Sequence, residues 1–579
     1  MKIIRVKADS LLLGLALLFP SFCAELAARV AASAGGAASI PWREPRAGIA
    51  IVLVLVLFAA GAGAAPAQKA SLPHLVERDG HHALIVDGAP YLMLGAQVNN
   101  SSGWPAMMPK IWPAIEYLHA NTVEIPVYWE VVEPEEGKFD FSSVDVLLSE
   151  ARKHNVHLVL LWFGTWKNGS SHYMPLWMKA QPEKYPRLIG AHGSPIDSPS
   201  PVVQAPLDAD IAAFSALMGH LKNADRQHTV LMVQVENEPG TWGSIRDYSP
   251  AAQKLFESAV PPEILTAMGA RSANGGSWSQ AFGEHADEYF HAWCVAHFIG
   301  QVAAAGKAIY PLPMYANAAL RDPLKPSAPG TYEMGGPTDN FIPIWKAAAP
   351  ALDILAPDIY TTDTTLYQKY LELYGRPDNP LFVPETGSGP NYARYCFSAI
   401  GHGAIGFSPF GIDFTSLRHG EDDAARKAWL DPFAANYEVL GPMAREIAQL
   451  NFDGKLQAVA EPDGGAARTL LFGPWTATVT FDAPTFGNGP AKPHPDPAGR
   501  AIVAQLGTDR FLVTGYHCRV DFKPTTTSST KQREFVRVEE GAYANGVWST
   551  ARYWNGDQTD WGLNFSALPQ VLQVQLGTY

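Results

Sequence analysis

The chain has 579 residues, too many for one ordinary domain. Hydrophobic residues make up 47% and charged ones 17%, with 16 Trp, 21 Tyr and 26 Phe, which provides for a large core and excludes a disordered chain. The 43 Lys and Arg against 56 Asp and Glu leave a net charge of −13, and no basic stretch carries interleaved aromatics, so a nucleic-acid partner is excluded and a neutral one favoured.

Residues 1–70 read as a targeting region and linker. Lys2, Arg5 and Lys7 precede an apolar run at 11–19, and Arg43 and Arg46 precede a second at 49–60, followed by the small-residue string Ala62-Gly63-Ala64. The second copy is the better signal peptide, so the expected protein is exported to the periplasm or beyond. Neither run reaches the roughly 18 apolar residues of a membrane span, and none is expected after cleavage. Beyond Cys23, the cysteines Cys294, Cys396 and Cys518 are scattered, giving no metal framework and no disulfide plan. Cys294 shares a helical stripe with Phe290, Trp293, Phe298 and Val302, which marks it as core.

From 71 to 430 the pattern alternates strand-like and helix-like segments. Eight strands are predicted, at 91–95, 122–127, 157–162, 230–234, 308–314, 354–359, 381–384 and 404–407, with amphipathic helices such as 144–154 and 286–304 between them. Eight βα units predict a (β/α)8 TIM barrel in the α/β class, with its site at the C-terminal ends of the strands. A helical segment at 424–450 follows. The remainder of 431–579 is predicted to form a β-sandwich from runs at 470–472, 476–481, 501–506, 511–522, 535–538 and 571–576, with Asn545-Gly546 as a hairpin signal. Stretches 487–500 and 523–531 read as exposed loops, and Trp548, Tyr553, Trp554 and Trp561 as an interdomain core more than a sugar platform.

Two strand-like runs end on glutamate: Met232-Val233-Gln234-Val235-Glu236-Asn237-Glu238-Pro239 and Leu381-Phe382-Val383-Pro384-Glu385-Thr386-Gly387. On the strand count, Glu238 follows strand four and Glu385 ends strand seven, so both face one mouth. Paired carboxyl groups are what cleavage of a glycosidic bond requires, one to protonate the leaving oxygen and one to attack or stabilise the anomeric carbon. Asn-Glu after strand four with Glu on strand seven resembles glycoside hydrolase clan A. Within the clan, the strand-four string and Asn121-Thr122-Val123-Glu124, Trp129, Glu133-Pro134, Gly137 and Phe139-Asp140-Phe141 resemble family 35, the β-galactosidases. Tyr553-Trp554-Asn555-Gly556-Asp557 is similar to a string in the β-domain of bacterial secreted members.

The resemblance implies a retaining enzyme with Glu238 as acid/base, Glu385 as nucleophile and Asn237 on the sugar 2-hydroxyl. It also implies a Tyr after strand six that holds the nucleophile ionised, which Tyr360 would supply. The family's usual strand-two Tyr is replaced by Pro126, and its Ala-Glu-Trp after strand three by Gly164-Thr165-Trp166. These departures resemble a bacterial subgroup acting on galactosyl side chains of plant polysaccharides such as xyloglucan.

Trp166, Lys167 and Asn168 are expected to touch sugar, the alternative being a loop packed on itself. Gln97 and Asn99 either bind hydroxyls or only make a turn. Glu133 reads as a positioning residue and Glu236 as support, while Tyr315, Asn317, Phe410 and Asp413 are weaker lining candidates. His172, His402 and His419 form no ligand spacing, so neither metal nor cofactor is expected. Another sugar (glucosidase, mannosidase, endo-glucanase) and a catalytically dead carbohydrate-binding barrel stay open, as does the oligomeric state.

Overall fold

In the computed structural model eight parallel strands close into a barrel in strict chain order. They are β1 Met93–Gln97, β2 Thr122–Tyr128, β3 His157–Lys167, β4 Val230–Asn237, β5 Met314–Ala319, β6 Ile354–Ile359, β7 Val383–Thr386 and β8 Gly406–Pro409. The structure describes residues 71–270, 276–325, 327–415, 422–481, 487, 496–525 and 531–579, so the predicted targeting region at 1–70, His419 and most of the loop at 487–500 lie outside it.

Two apolar clusters on opposite faces of β3 show why these runs close into a barrel. Val159, Leu161 and Phe163 join Met93, Tyr315, Ala356 and Phe382 in an inner cluster. Leu158, Leu160, Trp162 and Trp166 instead meet the helical shell, including Phe214 of α1 (Gln204–Ala224) and Phe298 of α2 (Ala286–Ile309). Period-two alternation with both faces buried is the mark of a sheet covered by helices. Cys294 is buried in the same shell. An antiparallel sheet of His74–Arg78, His81–Val86 and Ala89–Tyr91 delivers Leu84, Val86 and Tyr91 to the inner cluster, sealing the N-terminal ends of the strands. The mouth at the other end is left to the loops.

One barrel strand is displaced from its predicted place. The run at 308–314 is not β5: α2 continues to Ile309, Pro311 and Pro313 follow, and the strand is Met314–Ala319. Gly306 lets the end of α2 close on α1, since a Cβ there would lie 2.3 Å from Phe214. Three alanines and an asparagine in β5 carry little strand propensity, which hid it from the sequence pattern.

Helices α3 (Asp423–Leu440) and α4 (Ala444–Phe452) lead into two antiparallel sheets. Their strands are β9 Leu456–Ala460, β10 Arg468–Phe472, β11 Trp475–Phe481, β12 Arg500–Gly507, β13 Arg510–Tyr516, β14 Cys518–Pro524, β15 Arg533–Ala544, β16 Val547–Tyr553, β17 Leu563–Phe565 and β18 Val571–Thr578. The six-stranded sheet runs β9-β12-β13-β18-β15-β16 and the four-stranded one β10-β11-β14-β17. The predicted strand at 511–522 is two strands in different sheets, broken at His517, where φ is +47°.

The β12–β13 part of the larger sheet is buried on both faces. Ala501, Val503, Phe511 and Val513 face the small sheet, whereas Ile502, Ala504 and Leu512 belong to the core shared with the barrel. This accounts for the continuous apolar runs of β12 and β13. Among the aromatics expected to form an interdomain core, Trp548 packs half-buried against the core shared with the barrel, Trp554 is buried in the β-domain's own core, and Tyr553 and Trp561 are exposed. No helix among the described residues is long and apolar enough to cross a membrane.

Candidate active site

Glu385 lies in β7, buried at the mouth, and both its carboxyl oxygens are occupied by donors. Gln97, ending β1, donates from Nε2 at 2.8 Å, and the hydroxyl of Tyr360, just after β6, donates at 2.5 Å. Hydrogen bonds to the ionised form favour it, so this wall suits a carboxylate. Glu238 follows β4 directly across the mouth. Its backbone and that of Glu236 are left-handed, with φ of +42° and +66°, on either side of Asn237. Strain of this kind, of order 1–3 kcal/mol per residue, persists only where surroundings fix it. Asn317 of β5 is one such fixture, accepting from the Glu238 N–H at 2.9 Å.

The same Asn317 donates through Nδ2 to Asp358 of β6 at 2.6 Å, and Asp358 brings a third carboxyl group to the mouth. Glu238, Asp358 and Glu385 each offer an oxygen within 4.8 Å of the others. Three carboxyl groups this close cannot all ionise. Burial, then the charge of Glu385, pushes Glu238 up to about 7, against a smaller opposing effect from Lys167. Burial and the charges of Glu385 and Glu238 hold Asp358 well above the usual carboxylate range. Deeper in the barrel, burial holds Glu124 of β2 well above the usual carboxylate range, and the Tyr315 hydroxyl donates to it at 3.2 Å. The result is one carboxyl group held by two donors and one poised to exchange a proton near neutrality. The three oxygens are also the one carboxyl cluster among the described residues close enough to meet a cation.

Lys167, at the end of β3, is buried and donates to Asn237 Oδ1 at 2.7 Å and also to Asn168 Oδ1. Asn237 Nδ2 and Gln97 Oε1 are buried with no protein partner among the described residues. The structure therefore brings Gln97, Lys167, Asn168, Asn237, Glu238, Tyr360 and Glu385 to one mouth. Asn99 stands apart, its N–H and Nδ2 both committed to Asp413 at 2.8 and 2.9 Å.

Trp166 is a correction to the expected sugar contacts. It is 1% exposed, packs edge-on against Phe298 and donates to Ser198 at 3.1 Å, because it lies on the outer, helix-facing side of β3 with Trp162. Glu236 is likewise support: it accepts the Trp166 N–H at 2.6 Å, and burial and the charge of Asp210 hold it well above the usual carboxylate range. Glu133 holds its own loop, accepting from Trp129 and from Gly137 N–H. Sequence reasoning passed over Asp358 as a site residue although it stands two residues before Tyr360, and it passed over Glu333, a buried carboxyl whose only sequence signal was its place after the fifth strand.

Residues 104–297 match the family model Glyco_hydro_42, described as "Beta-galactosidase", and 433–566 match a domain of unknown function, DUF5597. The matching model is thus of family 42 and not of family 35, whose strings the sequence resembles. A β-galactosidase of Xanthomonas manihotis is 26% identical over 185 residues, 30% of this chain and 28% of that protein. An endo-1,4-β-xylanase of Naganishia albida is 32% identical over 96 residues, 15% of this chain and 24% of that protein. The chain thus spans about a quarter of the length of these curated relatives. A crystal structure of β-galactosidase from Bacillus circulans sp. alkalophilus superposes with a TM-score of 0.46 at 15% identity, over 62% of this chain and 57% of that one.

Proposed function

We propose that this protein is a retaining, exo-acting β-galactosidase of clan A that removes terminal β-D-galactosyl residues from plant-derived saccharides such as xyloglucan side chains. The observation that carries the reading is the pair of carboxyl groups at the barrel mouth, with oxygens of Glu238 and Glu385 within 4.8 Å of each other in opposite environments. Retaining glycosidases separate the two groups by about 5–5.5 Å, while inverting ones need roughly 6.5–9.5 Å to admit a water between them. The β-galactosidase family model and the Xanthomonas relative support the sugar. The family 35 assignment rests on the strand-two and strand-four strings.

In this mechanism the Glu385 carboxylate, held by Gln97 and Tyr360, attacks the anomeric carbon. Glu238 gives its proton to the glycosidic oxygen, and the leaving alcohol departs. Water then enters, Glu238 takes its proton, and attack at the anomeric carbon releases Glu385. Asn237 Nδ2 is positioned to donate to the 2-hydroxyl, with its Oδ1 fixed by Lys167. A value near 7 suits Glu238 to both its acid and its base role.

The test is galactose release from xyloglucan oligosaccharides and from nitrophenyl β-D-galactoside, with the product anomer followed by NMR. Retained β-galactose supports the reading; an α-galactose first product overturns the retaining mechanism. Glu238→Ala should lose roughly 10²–10⁴-fold on a poor leaving group and recover with azide on an activated one. The xylanase match favours a second reading, another clan A β-glycosidase, and a nitrophenyl glycoside panel decides between them. We further propose export from the second signal, which N-terminal sequencing of secreted protein starting well before Ala60 would refute.

A further inference from the structure

The loop after β4 carries an exposed aromatic ring whose setting is more ordered than a surface tryptophan needs. Thr241 pairs with Met334 in an antiparallel bridge, each N–H donating to the other's carbonyl at 2.9 Å. In that register Trp242 and Glu333 stand opposite each other and share one face. Both close on Gly169: a Cβ there would lie 2.4 Å from Glu333 Oε1 and 3.0 Å from Trp242 Cδ1, and its φ is +68°. The Gly169 N–H in turn donates to the Glu238 carbonyl at 2.9 Å. The three loops after β3, β4 and β5 are thus knitted together around the Glu238 backbone, and the indole is left 48% exposed four residues beyond Glu238.

Glycosidic cleavage puts the leaving group on the side of the acid, and the loop that carries this ring begins at Glu238. Beneath it Glu333 is 2% exposed, with Oε1 unpartnered among the described residues, and burial together with the charge of Glu238 holds its carboxyl well above the usual range. Lys167 is engaged by Asn237 and Asn168. The exposed indole is therefore the apolar face that this corner offers a ligand.

We propose that Trp242 is the platform of a subsite for the leaving-group sugar, and that its occupant is a neutral pyranose whose C–H face lies on the indole. The inference rests on the galactosidase reading and deepens it, assigning the specificity for a saccharide leaving group to the loop after β4.

The experiment compares kcat/KM for a β-galactosyl disaccharide with that for β-D-galactosyl fluoride, which carries no leaving sugar. Trp242→Ala should lower the disaccharide-to-fluoride ratio roughly tenfold, and Trp242→Phe, which keeps a ring, should restore most of it. An active wild type whose ratio is untouched by Trp242→Ala, or falls equally in Trp242→Phe, overturns the subsite alone. A wild type inert on both galactosides overturns the galactosidase reading and the subsite with it.

Discussion

Two regions of this molecule bury charged groups, and they treat them in opposite ways. Where the β-domain meets the barrel, Arg500 is 5% exposed and each of its three guanidinium nitrogens donates a hydrogen bond. Nε donates to Asn436 Oδ1 at 2.6 Å, the terminal nitrogens donate to the carbonyls of Ala498 and Pro432, and the guanidinium lies 4.2 Å from the centre of the Tyr516 ring. At the barrel mouth Gln97 Oε1, Asn237 Nδ2 and Asp358 Oδ1 are buried without protein partners, among carboxyl groups that raise one another's affinity for protons. A buried polar group left unpaired costs about 1–3 kcal/mol, so the interface pairs its buried charge while the mouth carries unpaired polar atoms at a cost to stability.

The largest expected effect breaks the mouth. Glu385→Gln keeps the shape and removes the charge, and turnover should fall by roughly four or more orders of magnitude. Covalent trapping with a 2-deoxy-2-fluoro galactoside should label Glu385 in the wild type; labelling of Asp358 would move the nucleophile one strand over. Tyr360→Phe should lower kcat by about ten- to a hundredfold, the worth of one hydrogen bond to a charged group. An unchanged kcat would mean that Gln97 alone holds the nucleophile.

How much of this was legible follows the same division. Glu238 and Glu385 could be read because each ends an apolar run that only a strand explains, and Tyr360 because it stands just past another. Trp166 was misplaced because β3 was ended at Trp162: continued to Lys167, as it runs, the strand carries Trp166 out to the helices and Lys167 into the mouth. Glu333 was beyond reach, since its position depends on a bridge between two loops that no periodicity announces. The doubly buried sheet was visible as apolar runs, but which face met the barrel depends on packing alone.

The interface responds differently. Arg500→Ala strips Asn436 Oδ1 and two carbonyls of their donor, and stability should fall by roughly 2–4 kcal/mol. A lowered melting midpoint with near wild-type initial rates well below the melt is the expected result; a parallel loss of rate would show that the β-domain bears on the mouth.

The smallest effect sharpens the contrast from the other side. Folding raises the Glu238 carboxyl from 4.5 to about 7, so the folded chain holds that proton more tightly than the unfolded one. Its contribution is full below the unfolded value and is lost as pH rises through about 7, where Glu238 must ionise among other carboxyl groups. Glu238→Gln removes the ionisation, so the variant should match the wild type in stability near pH 4 and exceed it by about 1–2 kcal/mol above neutrality. Urea denaturation across this window measures the gap. A constant gap would mean that the mouth holds Glu238 no differently from a surface glutamate, and the opposition between the two regions would collapse; a gap that opens with pH means that the cost of the unpaired mouth is carried by the same proton that the proposed acid/base step uses.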